Sequence, residues 1–91
     1  MYKKETVVVN STGIHARPAS IFTQECKKFE SKITVTNLNT GKSADTKSII
    51  KVMALALSKD TPISIEAEGP DETAAVDTII ALVDSGFGEE G

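Results

Sequence analysis

An α+β fold is what this chain of 91 residues predicts: an open-faced β-sandwich with three helices on one face of a four-stranded, mainly antiparallel sheet. Three observations carry that prediction. Apolar residues alternate with polar ones around Ile33–Thr36 and Ile63–Ala67, the period of half-buried strands. They recur every three or four residues over Ala19–Phe29 and Ala75–Val83, the period of helices with a single apolar stripe. The order β-α-β-β-α-β-α then leaves each helix only a sheet face on which to bury that stripe. The length suits one domain with one modest core, residues 1–88, with 89–91 as a loose tail.

The first strand begins near Lys3, because Thr6 to Val9 is β-branched throughout and Asn10 to Gly13 supplies turn chemistry after it. Ala19, Phe22, Cys26 and Phe29 then share a helix face, which predicts a helix from about Ala16 to Lys28. Pro18 fits such a helix only in its first turn, so the helix starts at about His15 or Ala16. Ile33 and Val35 alternate with threonines in a second strand. Asn37–Gly41 turns the chain into a short third strand at Lys42–Ala44. A second helix from about Lys47 to Ala56 follows, with Asp45 and Thr46 as candidate caps. Pro62–Glu68 forms the last strand. Gly69, Pro70 and Glu72 fit the cap, first and third positions of a helix with the stripe Ala75, Val76, Ile79, Ile80 and Val83, ended by Gly86.

Composition excludes several functions. A net charge of −3 offers no basic stripe to neutralise nucleic-acid phosphates. The single cysteine, Cys26, cannot form an internal disulfide or join a zinc cluster, and its place on the apolar stripe makes it a buried, inert thiol. No metal or cofactor site is expected. The run Val7–Val9 is a strand and not the core of a signal peptide, and no apolar stretch approaches the ~20 residues that span a bilayer. The expectation is a cytoplasmic protein with no membrane insertion.

The chemistry concentrates in Gly13-Ile14-His15-Ala16-Arg17-Pro18-Ala19. It puts the only histidine of the chain at a turn before a helix, where backbone N–H groups lack intrahelical partners. Those donors and the positive end of the helix dipole can hold a phosphate. Arg17 adds a forked, charge-assisted contact to the same oxygens, although an arginine in a first turn is slightly unfavourable with the dipole unless an anion is present. A lone histidine is more often a simple cap or surface group, but here three anion-stabilising features meet at one ring nitrogen. No Walker loop or metal-binding carboxylate pair points to nucleotide hydrolysis instead.

This segment resembles the active-site signature of the HPr family, the histidine-containing phosphocarriers of the bacterial phosphoenolpyruvate-dependent sugar phosphotransferase system. Lys47-Ser48-Ile49-Ile50-Lys51-Val52-Met53 resembles the family's second signature, around a regulatory serine, and Pro62–Val83 also fits, so nearly the whole chain is covered. The resemblance implies an HPr-like fold and a carrier rather than an enzyme. Enzyme I, charged by phosphoenolpyruvate, would phosphorylate His15 at Nδ1, and enzyme IIA domains would remove the group. Arg17 would steady the phosphoryl group. Ser20, Thr23 and Gln24 on the exposed face of the first helix, with Ile49, Ile50 and Met53 of the second, would form a docking surface shared by both partners of a monomeric protein.

Ser48 has two readings. It either helps to start the second helix, or it is the regulatory phosphoserine that the resemblance implies. In the latter case an HPr kinase/phosphorylase and a catabolite-control repressor join the partners. Lys51 stands where many Gram-positive members have glycine, changing the bulk and charge beside Ser48, and Ala56 and Asp60 also replace family glycines. Because alanine disfavours positive φ, the turn near Ala56 is expected to be reshaped. Alternative functions are a serine-phosphorylated regulator of catabolite repression and a nitrogen-branch phosphocarrier. A small acylphosphatase-like hydrolase is a third, but the glycine-rich phosphate loop of that family is missing.

Overall fold

The computed structural model describes residues 1–88; the expected tail, 89–91, lies outside the described residues. The elements are β1 (Tyr2–Val7), α1 (Arg17–Cys26), β2 (Lys32–Asn37), β3 (Lys42–Asp45), α2 (Ile49–Met53), β4 (Pro62–Glu68) and α3 (Glu72–Asp84), followed by a 3-10 turn at Gly86–Gly88. The strands form one antiparallel sheet in the order β1-β4-β2-β3. This is the expected open-faced α+β sandwich.

Register follows from the alternation. Val35 pairs with Ile65 on one side and Ala44 on the other, so one face is apolar from strand to strand. Ile33, Val35, Ile63, Ile65 and Ala67 of that face are fully buried against Ala19, Phe22 and Cys26 of α1 and Ala75, Val76, Ile79 and Val83 of α3. Full burial of a side chain such as Phe22 stabilises by about 1.5–3 kcal/mol. Phe87 closes this end of the core edge-on to Phe22, with ring centroids 6.3 Å apart. Burial pushes the Cys26 thiol up to about 12, which makes it the inert core group expected.

Several boundaries differ from the sequence expectation for identifiable reasons. β1 ends at Val7 because Val8 turns into the core, donating its N–H to Thr61 O at 3.0 Å and accepting from Asp60 N at 2.7 Å. Helix α1 stops at Cys26, leaving Phe29 half-buried beyond it. Asp45 and Thr46 do not cap α2: the Asp45 carboxylate accepts from Lys47 N and the buried Thr46 hydroxyl donates to Ile33 O. Ser48 takes the cap position. α2 also ends early, because Asn37 Nδ2 donates to Leu55 O at 2.9 Å and Ile14 N to Leu57 O at 2.8 Å.

The cap of α3 is Asp71 rather than Gly69, with Glu72 Oε1 reaching back to Gly69 N at 3.3 Å. Gly69 instead packs on Ser31, whose Cα would lie 2.7 Å from an added Cβ. Gly86, at φ 67, ends α3 as expected. The reshaping expected near Ala56 is absent: Ala56 occupies φ 54 and Asp60 φ 71, left-handed conformations that glycine would adopt more cheaply.

Candidate functional site

The loop between β1 and α1 is built from alternating anchors and exposed groups. Ile14, Pro18 and Ala19 are buried, and between them His15, Ala16 and Arg17 project to solvent. Helix α1 begins at Arg17 with Pro18 in its first turn, so the N–H groups of Arg17 and Ala19 have no intrahelical acceptor and Pro18 has none to satisfy. His15 therefore sits two residues before the helix, immediately ahead of its cap.

That cap is Ala16, at φ 51 and ψ −115, with no side-chain capping bond. A non-glycine residue in so sparsely populated a region costs about 1–3 kcal/mol and persists only where its surroundings enforce it. Nothing acidic lies in the first turn. Among the described residues, neither His15 nor Arg17 is engaged in a side-chain hydrogen bond or ion pair. The helix terminus thus presents open donors, a free cation and an exposed imidazole together, an arrangement that can accept and hold an anion.

His15 borders a cleft of about 240 Å³ that it shares with Thr12, Ile14, Met53, Ala56, Leu57 and Ser58. Asn10, buried behind the loop, donates from Nδ2 to Gly13 O at 2.7 Å and to Thr12 Oγ1 at 3.1 Å. Sequence reasoning missed three of these features: the strained cap at Ala16, the Ala56–Ser58 wall and the Asn10 brace. The turn-prone Asn10 to Gly13 run was the only signal for the brace.

The expected docking residues divide. Ile50 is 78% exposed, Gln24 is exposed, and Ser20, Ile49 and Met53 are half-buried. Gln24 Nε2 donates to Ser20 Oγ at 3.3 Å, so these two act as a pair. Thr23 does not belong with them: it is buried, not on the exposed face, and its hydroxyl has no hydrogen-bond partner among the described residues. As the fourth residue after Ala19 it falls within the apolar stripe. Ser48 is half-buried at the cap of α2, without a side-chain capping bond.

Basic side chains gather around this site, with Glu25, Glu30 and Asp45 among them and Lys28 paired with Glu25 at 2.8 Å. Exposed Arg17, Lys27, Lys28 and Lys51, with half-buried Lys47, lie on or beside the neighbouring helices α1 and α2. Glu66, Glu68, Asp71, Glu72, Asp77 and Asp84 lie on β4 and α3 or at the α3 cap.

A small sandwich that displays an imidazole at an open, cationic helix terminus beside a shallow cleft has the architecture of a phosphoryl carrier. Comparison with known proteins agrees. A family model described as the phosphotransferase-system HPr component phosphorylation site matches residues 2–85. The phosphocarrier protein HPr of Haemophilus influenzae is 46% identical over 83 residues, 91% of this chain and 95% of that protein. A multiphosphoryl transfer protein of Vibrio cholerae is 41% identical over 83 residues, 90% of this chain but 21% of that longer protein. The crystal structure of HPr-C-His from Thermoanaerobacter tengcongensis superposes with a TM-score of 0.95 at 38% identity, covering 100% of both chains. The chain belongs to the HPr family: it is a phosphocarrier of the phosphotransferase system and not an enzyme. Among the described residues no helix is long and apolar enough to cross a membrane.

Proposed function

We propose that His15 Nδ1 accepts a phosphoryl group from phosphorylated enzyme I and passes it to enzyme IIA domains for sugar uptake. In each step a nitrogen–phosphorus bond forms as the donor's bond to phosphorus breaks, so the reaction needs in-line positioning and charge stabilisation rather than further chemistry. The observation that carries this reading is the exposed His15 ahead of a helix terminus whose first turn holds Arg17 and nothing acidic. Arg17 and the free N–H groups of α1 steady the transferred group.

Ile50, Met53, Gln24 and Ser20 supply the docking surface, and the surrounding lysines favour partners with acidic faces. The protein acts as a monomer in the cytoplasm, with residues 1–88 as one unit. Ser48 supports a second, regulatory reading. Its hydroxyl is free of a capping bond beside exposed Ile50, so a phosphate there would alter the docking face while adding negative charge at the start of α2. Such a mark would be written by an HPr kinase/phosphorylase and read by a catabolite-control repressor.

The test is incubation with phosphoenolpyruvate and enzyme I, followed by intact mass. A gain of one phosphoryl group, lost in mild acid and absent from His15→Ala, is expected. Acceptance of acid-labile phosphate by folded His15→Ala protein would overturn the assignment.

A further inference from the structure

The α2–β4 loop, residues 54–61, holds the His15 loop at several points. Leu57 O accepts the N–H of Ile14, the residue immediately before His15, at 2.8 Å. Gly13 approaches so closely that an added Cβ would stand 2.5 Å from Leu57 O and 2.8 Å from Ser58 Cα. Farther back, Val8 exchanges hydrogen bonds with Asp60 and Thr61. The two walls of the His15 cleft are therefore one hydrogen-bonded unit.

The shape of that unit depends on Ala56. At φ 54 it directs its carbonyl to Ser58 N, 2.9 Å away, closing a tight turn about Leu57. A move of Ala56 out of the left-handed region would swing the Leu57 carbonyl away from Ile14. The conformation is held against the intrinsic preference of alanine, and it lies in the wall facing His15.

We propose that Ala56 is a positioning residue for phosphoryl transfer: its left-handed turn aims the Leu57 carbonyl at Ile14 N–H and so fixes the backbone that carries His15. This rests on the reading of His15 as the phosphoryl acceptor. Ala56 itself touches no reacting atom. Its influence is expected because misplacement of a reacting group by about 1 Å can slow a positioned transfer by roughly 100-fold.

The experiment is single-turnover transfer from phosphorylated enzyme I, with its concentration varied to separate the maximal rate from the half-saturating concentration. Ala56→Gly keeps the left-handed turn and is expected to transfer within about twofold of wild type. Ala56→Val disfavours that turn and is expected to lower the maximal rate about tenfold, with a smaller change in half-saturation. Hydrogen exchange at the Ile14 amide should accelerate in the same variant. If Ala56→Val does not fold, Ala56→Thr, equally β-branched but suited to an exposed position, decides the matter by the same two readouts.

A folded variant with wild-type maximal rate, or a change confined to half-saturation, would overturn the inference. The latter would make Ala56 a simple partner contact. Wild-type protein that accepts no phosphoryl group would instead remove the underlying reading of His15.

Discussion

The N-termini of α1 and α3 are opposites. At α3, Asp71 accepts from the backbone N–H groups of Glu30 and Ser31, each at 2.9 Å, and from the Ser31 hydroxyl. Glu72 in the first turn reaches Gly69 N and pairs with the Met1 ammonium at 2.9 Å. Every charge there suits the helix dipole and has a partner. At α1 the cap is strained, no acid is present, and the first helical residue is an unpaired arginine. The acidic groups at one terminus are paired within the chain, although neither helix has a side-chain capping bond. On the proposed reading, the other is completed by the phosphoryl group carried on His15.

The contrast breaks most visibly at His15. Because the ring is exposed and bonded to nothing among the described residues, His15→Ala should remove phosphoryl acceptance entirely while the unfolding free energy stays within about 0.5 kcal/mol of wild type. Mass spectrometry after reaction with enzyme I and urea denaturation measure the two effects on one sample. A large loss of stability would mean that His15 is part of the scaffold.

Arg17→Ala tests the same terminus more finely. Transfer should slow by about 10- to 100-fold, since a charge-assisted donor to the phosphoryl oxygens is lost. Stability should hold or rise by about 0.3 kcal/mol, because a cation leaves the positive end of a helix. Opposite signs of these two effects would be hard to explain for a structural arginine.

At the α3 terminus the dependence on pH is the sharper probe. Hydrogen bonds from the Ser31 hydroxyl, then from backbone N–H groups, hold the Asp71 carboxyl below its ordinary value. Glu72 is lowered by the N-terminal ammonium, and Asp77 by Lys4 at 2.8 Å and by Tyr2. Carboxyls depressed by folding contribute stability that is fully present above their unfolded pKa, about 4, and lost as pH falls through the lower folded value. Thermal unfolding should thus show little change from pH 7 to about 5 and a decline below about 4. Asp71→Asn should lower the midpoint at neutral pH, with the gap to wild type closing in acid; a gap constant with pH would assign the effect to packing.

How much of this was legible beforehand depends on how far each signal is local. The strand Pro62–Glu68 and the stripe of α3 were readable because alternation and helical spacing are properties of contiguous residues. So was the His15–Arg17 pair at a helix start. The short α2 was not, because what ends it is a distant side chain, Asn37, taking the Leu55 carbonyl. Asp45 and Thr46 had the chemistry of caps, but Thr46 is buried against Ile33 and Asp45 is spent on Lys47 N. Thr23 has the polarity of an exposed residue, but its spacing from Ala19 puts it on the buried stripe, and period prevails over polarity.

The smallest expected effect concerns Ala56, which carries at the cleft wall the same kind of positive-φ strain that Ala16 carries at the cap. A left-handed alanine costs about 1–2 kcal/mol relative to its preferred regions, whereas glycine occupies that region freely. Glycine also gives the unfolded chain more freedom, which offsets roughly 0.5–1 kcal/mol of the gain. Ala56→Gly should therefore stabilise by about 0 to 1.5 kcal/mol, raising the thermal midpoint by roughly 4–8 °C for each kcal/mol gained. The side chain is exposed, so no packing is lost with its methyl group. A fall in the midpoint would mean that the Ala56 methyl contributes to the brace beneath His15 beyond setting the turn.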